Sequence, residues 1–355
     1  MTNALNLIKP EVRNLAPYTL RHHEHRVKLN QNENPFGFPE ALKEEVWRRA
    51  RGRDWARYPD FFLREITERL AQHADVPPDW VLVGNGSNEL IQVTLMATLA
   101  RGDTVIIPVP TFTLYRLMST VMGAQVVEVP LSQGDFALPT EAIVAAAREH
   151  RARVVILCSP NNPTGVAYPE GQVRRIVEET EALVVLDEAY REFSDQDFRP
   201  LLDGYDNLIL LRTFSKAMAM AGLRVGYLLA RPELVRELAK ARLPYGLNLL
   251  SETAALVALD HRDLLEAQVR RIRALRNVLH AELRALPGVH PYPSQANFLL
   301  CRFDRPTEEV FAALLANGIL VRDVSGYPLL AGHLRISVGR ERENEALVRT
   351  LKELS

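Results

Sequence analysis

The sequence is poor in the residues from which covalent cross-links and metal sites are built. Only two cysteines occur in 355 residues, and Cys158 and Cys301 each lie in an apolar run, which favours buried free thiols. No CxxC pair is present, and His22, His23 and His25 lie in a charged segment that is more typical of a solvated arm than of a metal site. The sequence therefore predicts no disulfide framework and no bound metal.

A large net charge and long apolar runs are also lacking. The 43 basic and 44 acidic residues give a formal net charge of −1, so neither a nucleic acid nor an anionic membrane is expected as a partner. No run of about 18 apolar residues is present, and the chain does not open with a basic segment followed by an apolar stretch. We therefore expect no membrane span, no signal peptide and a cytosolic location.

The length and the changes of pattern along the chain predict two domains and an arm. Domains of about 100–200 residues are usual. Residues 1–35 are polar and interrupted by three prolines, so they are interpreted as an N-terminal arm. Residues 36–247 are predicted to form a large domain. Residues 248–355, which begin with a long charged helix from about Glu252 to Leu286, are predicted to form a smaller α+β domain.

Short apolar runs rich in Val, Ile and Leu recur through the predicted large domain, with amphipathic segments between several of them. The runs are VLVG (81–84), TVIIP (104–108), AQVVEV (124–129), RVVILCS (153–159), ALVVLDE (182–188), NLILLR (207–212) and RVGYLLA (224–230). Such runs are typical of strands buried on both faces. The predicted fold class is α/β, with a mostly parallel seven-stranded sheet flanked by helices and joined by right-handed crossovers.

Polar residues follow several of these runs, at the strand ends where parallel sheets bind ligands. Gly86, Ser87 and Asn88 open a helix after the first run, and a phosphate could bind there, although an ordinary N-cap at Ser87 explains the same residues. Asn162 stands in the motif PNNPTG, where its amide would suit a ring hydroxyl, although a plain loop explains the motif as well.

The run ALVVLDE ends in two acidic residues, Asp187 and Glu188. A buried carboxylate such as Asp187 is costly without a cation, and a protonated pyridine nitrogen would be a suitable partner. Metal binding by Asp187 and Glu188 together is the alternative, disfavoured because adjacent strand residues point to opposite faces.

Lys216 follows another strand and is accompanied by Thr213, Ser215 and Arg224. A lone lysine is usually solvated, but hydroxyl donors and an arginine fork are the groups that a phosphoester needs.

Four motifs in this order give the chain a specific resemblance: SPNNPTG, DEAY, TFSKAMAMAGLRVGY and LRISVG. The set resembles the fold-type I pyridoxal-5′-phosphate (PLP) aminotransferases, and the similarity runs across nearly the whole chain. RNLAPY, LNQNENPFG, ARYPD and GILVRD narrow the resemblance to the histidinol-phosphate aminotransferases. The resemblance implies PLP as the cofactor and a homodimer with a shared active site.

By this resemblance, Lys216 would form the Schiff base with PLP and then move the substrate proton. Asp187 would keep the pyridine nitrogen protonated. Tyr190 and Asn162 would hydrogen-bond the ring hydroxyl, and Phe112 would stack on the ring. The residues implied for the cofactor phosphate are Gly86, Ser87, Asn88, Thr213, Ser215, Arg224 and, from the other subunit, Tyr58.

The resemblance also implies the substrate residues. Arg335 would grip an acidic group of the substrate, and Arg322 with Tyr18 of the arm would suit the additional charge of a phosphate. The segment around Asn32 would lie near the substrate imidazole. The implied reaction is reversible amino transfer between L-histidinol phosphate and 2-oxoglutarate, with glutamate as the other amino compound, in histidine biosynthesis.

Other functions stay open on the sequence alone. An aromatic amino-acid aminotransferase or a PLP-dependent decarboxylase of a phosphorylated amino acid would use the same scaffold. A regulatory protein with a PLP fold is disfavoured because no helix-turn-helix pattern precedes the PLP motifs. A Rossmann dehydrogenase is disfavoured because the first strand leads into GNGSNE rather than GxGxxG.

Overall fold

The computed structural model describes residues 4–17, 19 and 22–354. The strands are β1 (Val27–Leu29), β2 (Val81–Gly84), β3 (Thr104–Val109), β4 (Gln125–Pro130), β5 (Val154–Cys158), β6 (Leu183–Asp187), β7 (Leu208–Thr213), β8 (Gly226–Leu229), β9 (Val289–Pro291), β10 (Phe298–Phe303), β11 (Ile319–Asp323) and β12 (His333–Ser337). The helices are α1 (Pro10–Arg13), α2 (Glu40–Arg51), α3 (Arg64–Ala74), α4 (Ser87–Thr98), α5 (Leu114–Met122), α6 (Thr140–Glu149), α7 (Glu170–Glu179), α8 (Pro232–Ala239), α9 (Leu249–Asp260), α10 (Arg262–Arg284), α11 (Thr307–Ala316) and α12 (Glu341–Leu354). Short 3-10 turns lie at Ala4–Leu7, Pro78–Trp80, Arg191–Phe193, Arg199–Asp203 and Ala221–Leu223.

The larger sheet has seven strands in the order β2-β8-β7-β6-β5-β3-β4. The strands from β7 to β4 pair in parallel, while β8 pairs antiparallel with both β7 and β2. Helices α6, α7 and α9 pack on one face, and α4, α5 and α8 pack on the other. The predicted α/β class and mostly parallel sheet are confirmed. Central runs such as Leu208–Leu211 are apolar throughout because helices bury them on both faces of the sheet.

The strand order of the larger sheet reverses between β3 and β5. The chain passes from β3 outward to β4 and then returns to build β5, β6 and β7 on the other side. Ligands of open parallel sheets bind outside the carboxyl ends of the strands at such a reversal. The segments that follow β5, β6 and β7 therefore converge on one edge of the sheet.

The smaller sheet has the order β1-β11-β12-β10-β9 and is packed by α10, α11 and α12. Its edge strand β1 comes from the segment interpreted as an arm. Val27–Leu29 pairs in parallel with Ile319, Leu320 and Val321, and Leu29 is buried in the core of this sheet. Part of residues 1–35 is thus built into the smaller sheet, because apolar residues at 27 and 29 alternate as an edge strand requires.

The long helix expected from about Glu252 to Leu286 is in fact two helices, α9 and α10, which meet at His261. Helix α9 packs against α2 and α3, and residues 254–259 are buried in the core of the larger sheet. Helix α10 packs on the smaller sheet. Helix α9, assigned by the sequence to the smaller domain, thus packs with the larger sheet, and the boundary after residue 247 stays a prediction.

Candidate active site

A cavity of about 510 Å³ lies at the carboxyl ends of β5, β6 and β7, between the larger sheet and strands β11 and β12. The predicted site residues that line it are Asn32, Ser87, Asn88, Phe112, Asn162, Asp187, Tyr190, Thr213, Ser215, Lys216, Arg224, Arg322 and Arg335. Gly86 lies beside it as the residue before α4. Tyr18 lies outside the described residues. The described residues of the predicted site are therefore gathered at one cavity, with the exception of Tyr58.

Asp187 is the last residue of β6, and its carboxylate is buried at the floor of the cavity. Oδ2 accepts a hydrogen bond from the Tyr115 hydroxyl at 2.7 Å, and Oδ1 accepts one from the Ala189 backbone N–H at 3.0 Å. Burial raises the pKa of Asp187 to about 6, against the opposing effect of these hydrogen bonds. Such a carboxylate fits a cationic ring nitrogen, which would supply the charge that its surroundings lack.

Glu188 points away from the cavity, as strand alternation requires. Its Oε2 accepts a hydrogen bond from Arg212 Nε at 2.8 Å, and both side chains are buried. Asp187 and Glu188 therefore do not face one site, and joint metal binding by the two acids is ruled out by their directions. Among the residues that the structure describes, no cluster of three or more His, Cys, Asp or Glu could hold a metal ion.

Lys216 extends from the loop after β7 towards the same cavity. Its Nζ donates a hydrogen bond to the Gln31 carbonyl at 2.8 Å and lies 5.9 Å from the centre of the Tyr190 ring. Burial, followed by the nearby positive charge of Arg335, lowers the pKa of Lys216 to about 8. A neutral amine, which is the nucleophilic and basic form, is thus accessible close to neutral pH.

A group of donors converges at the start of α4. Arg224 has a left-handed backbone (φ 56°), and its Nη1 donates to the Ser215 hydroxyl at 3.2 Å. That hydroxyl also receives a hydrogen bond from Thr213 Oγ1 at 3.0 Å. Gly86 has φ 80°, and a Cβ at this position would lie 2.5 Å from Arg224 Nη2. Glycine therefore lets the guanidinium approach the N-terminus of α4, and the resulting cradle fits a phosphate.

Two arginines enter the cavity from the smaller sheet. Arg322 on β11 and Arg335 on β12 are directly opposite each other in the antiparallel pair. Arg335 Nη1 donates to Asn162 Oδ1 at 2.5 Å, and Nη2 donates to the Asn30 carbonyl at 2.6 Å. Its guanidinium also lies 5.3 Å from the centre of the Phe298 ring. The pair gives this end of the cavity a concentrated positive charge suited to an acidic ligand.

Asn32, expected near a substrate, is buried and makes its side-chain hydrogen bonds to protein. Its Nδ2 donates to the Tyr190 hydroxyl at 3.0 Å, and its Oδ1 accepts from the Ser337 hydroxyl at 3.0 Å.

The sequence did not predict the role of Tyr115, since a tyrosine on an amphipathic helix carries no signal of a buried carboxylate partner. It likewise missed the Gln31 carbonyl, because a backbone acceptor is independent of residue type.

Tyr58 lies on the surface, apart from the cavity of its own chain. Its side chain is 80% exposed and stacks on Tyr245 with 4.4 Å between ring centroids. Within one chain it therefore makes no contribution to the cavity.

No helix in the described part of the chain is both long and apolar enough to cross a membrane.

Comparisons with known proteins agree with this geometry. The family model for aminotransferase class I and II matches residues 24–351. The histidinol-phosphate aminotransferase of Chlorobaculum tepidum is 40% identical over 350 residues, which cover 98% of this chain and all of that protein. The corresponding enzyme of Thermococcus gammatolerans is 41% identical over 349 residues, with 98% of each chain covered.

A solved structure is also similar. Histidinol-phosphate aminotransferase from Sinorhizobium meliloti, in complex with pyridoxal-5′-phosphate, superimposes with a TM-score of 0.88 at 26% sequence identity, covering 97% of this chain and 96% of that one. Together with the buried carboxylate, the lysine of lowered pKa and the phosphate cradle, these matches establish the family. The chain belongs to the class I and II aminotransferases and is a PLP-dependent aminotransferase of the fold-type I architecture.

Proposed function

We propose that this enzyme transfers an amino group between L-histidinol phosphate and 2-oxoglutarate. The observation that carries the proposal is the placement of Arg322 and Arg335 opposite each other at one end of the cavity. A phosphate monoester has a charge of about −1.5 to −2 near neutral pH, and arginine forks bind such groups through paired hydrogen bonds. The names of the relatives from C. tepidum and T. gammatolerans support the same substrate.

The two arginines differ in how firmly they are held. The side chain of Arg335 is fixed by Asn162 and Asn30, whereas the side chain of Arg322 makes no hydrogen bond or ion pair with another described residue. Arg335 would therefore give both substrates a constant anchor. Arg322 would adapt, meeting the phosphate of one substrate and the second carboxylate of the other.

Bound PLP supplies an electron sink that stabilises negative charge on the substrate α-carbon. The carboxylate of Asp187 would hold the proton on the ring nitrogen, Tyr190 and Asn162 would hydrogen-bond the ring hydroxyl, and Phe112 would stack on the ring. Lys216, with its pKa near 8, would take a proton from the α-carbon and return it. The cradle at the start of α4 would bind the cofactor phosphate through Gly86, Ser87, Asn88, Thr213, Ser215 and Arg224.

A homodimer with a shared active site is part of this proposal. Tyr58, Tyr245, Phe61 and Phe62 form a connected and largely exposed aromatic cluster, and exposed patches of this kind mark contact surfaces. We place a second copy of the chain there, so that Tyr58 reaches the phosphate cradle of the other subunit. The cytosolic location stays a prediction.

A comparison of the rates with two amino donors tests the proposed substrate. The purified holoenzyme would be assayed with 2-oxoglutarate and either L-histidinol phosphate or L-phenylalanine, and glutamate formation would be followed. We expect kcat/KM to be at least about 100-fold higher for histidinol phosphate, which corresponds to about 3 kcal/mol of additional binding by two charge-assisted contacts. Equal values, or a preference for phenylalanine, would make the enzyme an aromatic aminotransferase.

The decarboxylase alternative has its own readout. Incubation with L-threonine O-phosphate, without any oxo-acid, would release carbon dioxide only if the enzyme were a decarboxylase of phosphorylated amino acids. We expect no release above the rate of the Lys216→Ala variant.

A further inference from the structure

The tripeptide 30–32, here called the 30–32 strap, crosses the cavity directly after β1. Each of its residues contacts a different functional side chain. The carbonyl of residue 30 accepts from Arg335 Nη2 at 2.6 Å, and the carbonyl of residue 31 accepts from Lys216 Nζ at 2.8 Å. The side-chain amide of residue 32 donates to the Tyr190 hydroxyl at 3.0 Å. The strap is therefore in position to set the geometry of all three.

Asn32 is the most tightly held residue of the strap. Its backbone N–H donates to Ser337 Oγ at 2.9 Å, and the Ser337 hydroxyl donates back to Asn32 Oδ1 at 3.0 Å. Its carbonyl accepts from Asn297 Nδ2 at 2.9 Å. The side chain is buried, and the backbone is left-handed with φ 55°. Because Ser337 occupies Oδ1, the group that Asn32 presents to Tyr190 is a donor.

The direction of this hydrogen bond matters for Tyr190. A phenol has a single proton, and an oxygen that accepts from Asn32 keeps that proton for another partner. The Tyr190 hydroxyl has no other hydrogen bond among the described residues, and the side chain lines the cavity. Its proton is therefore available to an acceptor inside the cavity.

We propose that Asn32 is a positioning residue rather than a substrate ligand: by donating to the Tyr190 hydroxyl, it directs the Tyr190 proton towards the ring oxygen of the cofactor. This inference rests on the proposed placement of that ring oxygen near Tyr190. It does not depend on which amino donor the enzyme prefers.

The test reverses the direction of the hydrogen bond. In Asn32→Asp a carboxylate, which only accepts, replaces the donating amide, so the Tyr190 proton is drawn away from the cavity. Asn32→Gly deletes the amide but tolerates the left-handed backbone, so it removes the directing donor without putting an acceptor in its place. Asn297→Ala removes the donor to the Asn32 carbonyl, so it loosens the same segment without changing the amide that Tyr190 meets.

The readout is the visible absorbance of the PLP-loaded protein, titrated with pH in the absence of substrate. A hydrogen bond donated to the ring oxygen stabilises its anionic form, so losing the bond raises the pH midpoint. We expect Asn32→Asp and Tyr190→Phe each to raise the midpoint by about one pH unit, Asn32→Gly to raise it by about half as much, and Asn297→Ala to move it by less than about 0.3. The charged and titratable groups that face Tyr190 are Arg335, Asp187, Cys158 and Lys216, and all four are kept in every variant.

A double-mutant cycle separates hydrogen-bond direction from added charge. If Asn32 acts through the Tyr190 hydroxyl, Asn32→Asp adds much less to the midpoint when Tyr190 is already phenylalanine. An unshifted midpoint in Asn32→Asp would overturn the proposal, and so would a shift of equal size in the Tyr190→Phe background. Failure of the proposed substrate would leave these titrations unchanged, whereas absence of any visible band would contradict the placement of the cofactor itself.

Discussion

Asp187 and Glu188 are neighbours in the sequence and are equally buried, yet their surroundings are opposite. Glu188 is paired with Arg212 at 2.8 Å on the closed side of the sheet. Asp187, on the cavity side, meets only neutral donors at hydrogen-bond distance, and burial raises its pKa to about 6. The scaffold thus completes the charge of one carboxylate and leaves the other to be completed by a bound cation.

The same contrast extends to the neighbouring strand. Arg212 on β7 forms its buried ion pair with Glu188. Lys216, four residues later, lies at the cavity with a pKa lowered to about 8. A buried ion pair therefore ties β6 to β7 directly behind the two groups between which the cofactor is proposed to lie. Charge left unbalanced is concentrated where a ligand binds, as the proposed function requires.

Removing the amine of Lys216 should have the largest effect. We expect Lys216→Ala to lose the visible absorbance of the PLP-loaded protein and to lower kcat by at least about 10³-fold, because both the attachment and the proton transfer are lost. Exposed Lys240 provides the matched control, and Lys240→Ala should keep absorbance and turnover. Retained turnover in Lys216→Ala would break the assignment.

Breaking the scaffold pair should affect folding rather than chemistry. We expect Glu188→Leu to lower the free energy of unfolding by about 3–5 kcal/mol, since Arg212 is left buried without its partner. Urea unfolding of the cofactor-free protein measures this. The double variant Glu188→Leu/Arg212→Met should recover most of the loss, and Glu233→Leu at an exposed pair is the control. A loss of unfolding free energy no larger than that of the control would mean that the Glu188–Arg212 pair does not stabilise the fold.

The carboxylate on the cavity side should have the opposite signature. Because the folded pKa of Asp187 is raised from 3.8 to about 6, the folded state binds the proton more tightly than the unfolded state. This group therefore costs no stability below about pH 4, and its cost grows to about 3 kcal/mol above about pH 6. We expect Asp187→Asn to remove that decline in the cofactor-free protein, measured by urea unfolding at pH 4, 5, 6 and 7. An unchanged pH profile would refute the contrast between the two carboxylates.

The smallest effect should be confined to one substrate. We expect Arg322→Ala to lower kcat/KM for histidinol phosphate by about 10- to 100-fold, as expected for one charge-assisted contact, and for phenylalanine by less than about 3-fold. Arg302→Ala, at a half-exposed arginine of β10 paired with Asp304, is the control. Equal losses with both substrates would assign Arg322 a structural role instead.

The sequence predicted the parts of the site that depend on strand ends. Asp187, Lys216 and the Gly86 turn follow buried apolar runs, and the parallel sheet brings such ends together whatever the loops do. It did not predict that Val27–Leu29 would join the smaller sheet, since a three-residue edge strand has too little pattern to distinguish it from an arm. Nor did it predict the break at His261, which depends on the packing of α9 against α2 and α3. The hydrogen bonds of the 30–32 strap depend on tertiary contacts between distant segments, so no local pattern encodes them.

Reduction of the PLP-loaded protein with borohydride, followed by peptide mass analysis, tests the central claim most directly. The account predicts that the visible band is bleached and that the reduced cofactor is found covalently attached to the peptide that contains Lys216. Attachment to another lysine, or a reduced protein without any covalently bound cofactor, would contradict it.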